Sequence, residues 1–328
     1  MTIKFNNVYV ENVSTVAGPF VIEGPLKDNF DKKFNDFYDG EKTFEKCEMK
    51  ELKESIKILL DKTKYNEEDI SFGISADLMN QLTISNFVYS NLNIPFLGVY
   101  NACASVCEEI LIAASILENE KNKKAICTTS SHNMTSERQF RNPVEYGAPK
   151  PKTTTFTVTG AASLMLTNAK TDIKVNSATI GKVIDMGVDN VFDMGAVMSP
   201  SAAYTLNEHL KQTKTKVSDY DLILTGDLGV YGKDIFKEIC EKEYNIKLDK
   251  NYDDTATMIY DYKENIYAGG SGPACMPLVV YSSIIPKMKQ RIIKKVLLIA
   301  TGALMSPTTC NQKFSIPSVS HAVCLEVI

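Results

Sequence analysis

Residues 60–78, LDKTKYNEEDISFGISADL, and residues 210–228, LKQTKTKVSDYDLILTGDL, are two versions of one pattern. At an offset of 150 (60 to 210) and without a gap, Leu60, Thr63 and Lys64 meet Leu210, Thr213 and Lys214. At the same offset Asp69 meets Asp219, Ile74 meets Leu224, and Asp77-Leu78 meets Asp227-Leu228. Further along, Ala102-Cys103 meets Ala274-Cys275 at a slightly larger offset, and Lys123-Lys124 meets Lys294-Lys295, each ahead of an apolar run. The matches keep one order, which predicts a duplicated α/β unit packed as a single pseudo-twofold body. The halves are expected at 1–172 and 173–328, joined at the polar stretch Thr167 to Asp172.

The first copy reads as alternating helix and strand. Short apolar pieces, Val8 to Val10 and Val13 to Val16, end at Gly18-Pro19 and Gly24-Pro25, which punctuate loops. Phe30 to Tyr38 reads as partly helical. From Thr43 to Lys62, Met49, Leu52, Ile56, Leu59 and Leu60 recur at helical spacing. Ile70 to Ala76 is a buried strand that stops on Asp77, Gln81 to Leu92 a helix, and Pro95 to Tyr100 a strand. Thr153 to Thr159 gives another strand, continued by Ala161 to Leu166. The alternation predicts a mostly parallel sheet with helices on both faces, and ligands of such sheets bind beyond the carboxyl ends of the strands.

That end is where the polar residues collect, in the stretch from Gly98 to Pro151, GVYNACASVCEEILIAASILENEKNKKAICTTSSHNMTSERQFRNPVEYGAPKP. Cys103 lies just ahead of a helix-like run, where unpaired N–H groups and the helix dipole favour thiolate. The apolar strand Ala125 to Thr128 then runs into Ser130, Ser131 and His132. Arginine occurs at 138, 141 and 291 alone, so two of the three fall in this stretch. Each of these residues also has a plain structural use: Cys103 as a small core residue, His132 as a satisfied buried histidine, Asp77 as a cap, the arginines as surface ion pairs. His209 reads as a surface residue, and His321 as one that approaches the pocket if the two copies are symmetric.

Bulk properties bound the function. The chain has 328 residues, 44% of them hydrophobic, and a formal charge of −4, which argues against a nucleic-acid partner. Eight cysteines show no CxxC pair and no metal-ligand spacing, the usage of a reduced, cytosolic protein. Met1 to Val10 carries no signal pattern, and the apolar runs fall short of the roughly 20 residues that span a bilayer. Membrane association is therefore expected to be peripheral.

Longer motifs carry a family resemblance: Ser14 to Pro19, DLMNQ at 77–81, IPFLGVYNAC at 94–103, SSHN at 130–133, ERQFRNPVEYG at 137–147, AGGSGPAC at 268–275, ATGALMSP at 300–307 and SIPSVSHAV at 315–323. End to end the chain resembles the stage V sporulation protein AD family of endospore formers, on the thiolase and ketoacyl synthase fold. The resemblance implies an αβαβα layering of two duplicated halves. It also implies binding of pyridine-2,6-dicarboxylate (dipicolinic acid), alone or with calcium, during uptake into the developing spore. The implied partners are integral membrane proteins of the same sporulation operon, and the implied place is the spore inner membrane. A homodimer across the first-half sheet is expected of such folds; no cofactor is.

By position, the synthase histidine falls at Gly226 and the asparagine near Gly270, neither of which has a side chain to handle a proton. The expectation is a degenerate, non-catalytic binder, with Cys103 a vestigial nucleophile. The alternative is an acyl-CoA or acyl-carrier-protein transferase that still uses Cys103. A flat dianion needs paired donors, which guanidinium, ammonium, hydroxyl and helix-end N–H groups supply. The expected ligand-binding set is Asp77, Asn80, Cys103, Ser131, His132, Arg138, Arg141 and Lys150.

Overall fold

A computed structural model describes residues 1–140, 150–261 and 266–328. Its clearest feature is the repeated helix that feeds each half. Helix α1 (Phe44–Thr63) is capped by Thr43, whose hydroxyl accepts the Lys46 N–H, and it stops at Lys64 in the left-handed region, φ 61°. The second copy starts at Met194, where the Asp193 side chain accepts the Ala196 N–H, and ends at Thr213 before Lys214, φ 60°. Both ends are displaced by the same 150 residues (44 to 194, 63 to 213).

Strands follow the same plan. The first set is β1 (Tyr9–Ala17), β2 (Phe72–Ala76), β3 (Phe96–Gly98), β4 (Lys124–Ser131) and β5 (Gly160–Thr167). The second is β6 (Ile173–Thr179), β7 (Leu222–Thr225), β8 (Tyr252–Asp254), β9 (Lys295–Ala303) and β10 (Ser318–Val327). Counted outward from the middle, the order is β1-β5-β4-β2-β3 on one side and β6-β10-β9-β7-β8 on the other. The two meet where β1 pairs with β6 through Tyr9↔Lys174 and Val10↔Ile173 alone, a narrow seam.

The longer helices and those that bear on the site include α2 (Thr83–Tyr89), α3 (Ser105–Leu117), α4 (Asn133–Phe140), the second-copy counterpart of α1, α5 (Met194–Thr213), α6 (Gly229–Tyr244), and α7 (Cys275–Val279), which continues through a π turn at Val280–Ile284. Alternation along each strand decides the layers. On β4, Cys127 faces inward, to a central core where Ile110 of α3 and Leu278 of α7 lie between Leu164 of one sheet and Leu298 of the other. Ile126 faces outward, to Leu52 and Ile56 of α1 and Val88 of α2. Likewise Leu297 and Ile299 of β9 face Leu206 of α5 and Phe236 of α6. This is the αβαβα layering.

Several local expectations are corrected. The sheets are mixed, since β4 pairs with β5 and β5 with β1 antiparallel, as do β9 with β10 and β10 with β6. Parallel pairing joins β2 to β3 and β4, and β7 to β8 and β9, with short parallel pairs besides at Val16↔Lys32 and Gly270↔Phe156. Phe30 to Tyr38 holds no helix, only the short strand Lys32–Lys33 and turns. The pieces at Val8 and Val13 form one strand with a bulge between Val10 and Asn12. β4 continues through Ser130 and Ser131, so these serines belong to the sheet. His209 is fully buried: Thr179 Oγ1 lies 2.7 Å from Nδ1 and Tyr220 Oη 3.0 Å from Nε2.

One consequence of this packing is a carboxyl on the inner face of α1. Glu48 is fully buried; it accepts hydrogen bonds from Ser130 Oγ at 3.0 Å and Thr135 Oγ1 at 2.9 Å. Burial, aided by Asp77, pushes its carboxyl from 4.5 up to about 8. Between those values the unfolded chain releases this proton and the folded chain keeps it, so folding loses stability as pH rises across that window. Glu48→Gln removes this loss. Urea denaturation of both proteins from pH 4.5 to 8 is expected to show the variant gaining on the parent by a few kcal/mol (about one per pH unit); parallel curves would contradict this.

Candidate functional site

At the carboxyl ends of the strands, a cleft of about 260 Å³ opens between the two copies. Leu78 after β2, Tyr100 after β3, Ser136 and Phe140 of α4, Met194 and Met198 of α5, and Leu304 and Met305 after β9 make most of its wall. Cys103 lies at its base with Thr157, Ser271 and Gly272. The lining residues carry no formally charged side chain.

Cys103 is placed by a tight turn. Ala102 has φ 48° and leads a 3₁₀ turn (Ala102–Ala104) into α3, so the thiol sits on a strained elbow. The turn lies on β9 at Gly302, where an added Cβ would come 2.6 Å from the Asn101 carbonyl oxygen; only glycine admits that approach.

The group facing this thiol from the second copy is Asp227. It is buried, at 1% exposure, with φ 65°. Its Oδ2 accepts the Gly272 N–H at 2.8 Å, and the thiols of Cys103 and Cys275 direct hydrogen bonds to the carboxylate. No N–H or O–H of the described residues reaches Oδ1. Burial, with Asp254 next, raises the Asp227 carboxyl to about 7 against these hydrogen bonds. Asp254 accepts from Thr225 Oγ1 and the N–H groups of Leu228, Gly229 and Ala256, and burial holds it at about 6.

Most of the other residues singled out in sequence turn away from this space. Asp77 is a cap: Oδ1 accepts the Met79 N–H, and Oδ2 accepts the Ser85 N–H and hydroxyl. Asn80 is not among the lining residues; its N–H donates to Gln139 Oε1 and its Oδ1 lies 3.4 Å from Tyr100 Oη, a wall residue. Ser131 points to the central layer, donates to the Val158 carbonyl and packs under Gly272, whose φ is 107°. His132 is fully buried; Nε2 donates to the Phe37 carbonyl at 3.0 Å and the ring packs against Phe37 and Phe44. Arg138 pairs with Glu45 across the Phe44 ring, and Lys150 with the buried Glu137 at 2.6 Å. None of Asp77, Ser131, His132, Arg138 and Lys150 lines the cleft. Arg141 lies outside the described residues.

His321 comes near. The amide of Asn101, two residues before Cys103, lies 3.1 Å from its Nε2, and Gly181 N–H donates to its Nδ1. It is 8% exposed, and burial lowers its pKa to about 4. It too is absent from the lining. Sequence reasoning missed Ser136, which lines the cleft, is 4% exposed and carries a buried hydroxyl with no hydrogen-bond partner among the described residues. It also missed the three methionines, since no local pattern in the sequence points them at a pocket.

Known proteins share both the sequence and the architecture. The model of the stage V sporulation protein AD family matches residues 1–326. The stage V sporulation protein AD of Bacillus subtilis (strain 168) is 40% identical over 319 residues, covering 97% of this chain and 94% of that protein. Among solved structures, 3-oxoacyl-[acyl-carrier-protein] synthase III from Aquifex aeolicus VF5 superposes with a TM-score of 0.58 at 12% identity, over 97% of this chain and 99% of that one. Cerulenin-bound OleA from Xanthomonas campestris does so with 0.60 at 13% identity, over 99% of this chain and 98% of that one. These two similarities establish the thiolase-like fold.

The aromatic seat of His132 has a measurable consequence. Burial lowers its pKa from 6.5 to about 4, so it is neutral at pH 7 and its contribution to stability is lost as pH falls from 6.5 through 4. His132→Ala is expected to cost about 2–4 kcal/mol in urea unfolding at pH 7, by opening a cavity between Phe37 and Phe44 and orphaning a carbonyl. A loss below about 0.5 kcal/mol would contradict this structural role.

Proposed function

The chain belongs to the stage V sporulation protein AD family, and from that premise we propose that its cleft binds dipicolinic acid without turning over acyl thioesters. The observation that carries the reading is the partner of Cys103. The group from the second copy that meets the thiol is the Asp227 carboxylate, and the described lining offers no imidazole or amide side chain to polarise a thioester carbonyl. The walls suit a flat ring: Tyr100 and Phe140 are aromatic, and Met194, Met198 and Met305 are unbranched and adaptable. Ser136, Thr157 and Ser271 bring hydroxyl donors to the same space.

The reading extends to uptake of dipicolinate, with calcium, into the developing spore. The protein then acts at the spore inner membrane through integral membrane proteins of the same operon. In support, no helix among the described residues is long and apolar enough to cross a membrane, so attachment falls to partners. A homodimer fits the free edge of β3, where Leu97 is 47% and Phe87 60% exposed. Sedimentation of the protein is expected to give a dimer that Leu97→Lys with Phe87→Lys dissociates; a parent that sediments as a monomer would refute the pairing.

A second reading keeps Cys103 as an acyl acceptor, favoured by its place at the base of the cleft beside a carboxyl poised near neutrality. Calorimetry with dipicolinate and with acyl-CoA, alongside intact-protein mass spectrometry, separates the two. Dipicolinate is expected to bind, with no acyl adduct. Ser136→Ala is expected to weaken it by about 1–3 kcal/mol, the value of a lost hydrogen bond to a charged group, without changing the melting point. An adduct on Cys103 together with no dipicolinate heat would establish the transferase instead.

A further inference from the structure

We propose that Asp227 is a binding residue of the cleft that acts through its proton: an anionic ligand entering beside Cys103 is accompanied by a proton held on the Asp227 carboxyl. This deepens the dipicolinate reading and rests on it for the identity of the ligand.

An aromatic dicarboxylate brings two negative charges into a cleft whose described lining has none of the opposite sign. The nearest described cations of the stretch are engaged elsewhere, Arg138 with Glu45 and Lys150 with Glu137. Asp227 touches the lining at two points, through the thiol of Cys103 and the N–H of Gly272. The titratable groups that face it are Cys103 from the turn before α3, Cys275 at the start of α7, Asp254 at the end of β8, and Tyr260. All four are acids, so no cation among them holds the carboxylate charged. With Oδ1 receiving no N–H or O–H of the described residues, a proton on that oxygen displaces no such hydrogen bond among them.

A second negative group within a few ångströms makes ionisation harder still, as when two carboxylates share a site. The empty protein has this carboxyl at about 7, and a bound anion raises it further. At pH 6 the group is already mostly protonated and binding takes up little; at pH 8 it is mostly ionised and binding takes up close to one proton. Affinity therefore falls as pH rises above 7, and replacing the acid by its neutral amide removes the dependence.

The test is calorimetry of the full chain at pH 6, 7 and 8, in two buffers of different ionisation enthalpy. The probes are dipicolinate, benzene-1,3-dicarboxylate and benzoate. The expected result is proton uptake that grows with pH and a dissociation constant roughly tenfold weaker at pH 8 than at pH 6. In Asp227→Asn, uptake is expected to vanish and the constant to vary less than about twofold across that range. If that variant does not fold, difference infrared spectroscopy of the parent decides, with a protonated-carboxyl band expected on adding ligand at pH 8. Binding without uptake, uptake that survives in Asp227→Asn, or no such band overturns the proposal. If dipicolinate fails while either other acid binds with uptake, the inference stands and the ligand assignment falls. If none of the three binds, both fall.

Discussion

A carboxyl group buried between two thiols, with no cation among the described groups that face it, marks where the two copies meet. Asp227 reaches there from the loop that follows β7, and Cys103 and Cys275 reach there because each sits just ahead of, or at the start of, a helix in the central layer. Removing a carboxylate from water is costly unless hydrogen bonds or a cation compensate, and one backbone N–H with two weak thiol donors compensates only in part. The group therefore sits close to its neutral form at physiological pH. The lack of formal charge in the described lining is consistent with that burial.

The same constraint underlies the proposal that this chain binds rather than catalyses. A condensing enzyme needs a nucleophile freed of its proton and a donor aimed at the developing oxyanion. Here the sulfur donates to an acid, and the nearby imidazole of His321 is occupied by Asn101 and Gly181. What is left is a small enclosed space with aromatic and thioether walls and a few hydroxyls. On the proposed reading such a space holds a ring and leaves a thioester without activation.

The fold was legible in the sequence because duplication leaves a record in register. The offset of 150 that aligns Asp77 with Asp227 also aligns both ends of α1 with those of α5. Cys103 was legible too, as a cysteine between a strand and a helix. The charged residues were not. Local sequence shows that Arg138, Lys150 and His132 are near in the chain to Cys103, but which way each points depends on partners distant in sequence: Glu45 for Arg138, and Phe37 and Phe44 for His132. Alternation along β4 sends Ser130 to Glu48 on one face and Ser131 to Val158 on the other, and neither reaches the cleft. Asp227 was visible only as the twin of Asp77. The twins differ because Ser85 supplies Asp77 with an N–H and a hydroxyl, while Asp227 has thiols in their place.

The most direct measurement of this account is a crystal of the protein soaked in dipicolinate. The account predicts density for a flat ring in the cleft beside Cys103, between Tyr100, Phe140 and the methionines, with a carboxylate oxygen within hydrogen-bond reach of Ser136. An empty cleft at saturating ligand, or the acid bound elsewhere on the surface, would contradict it.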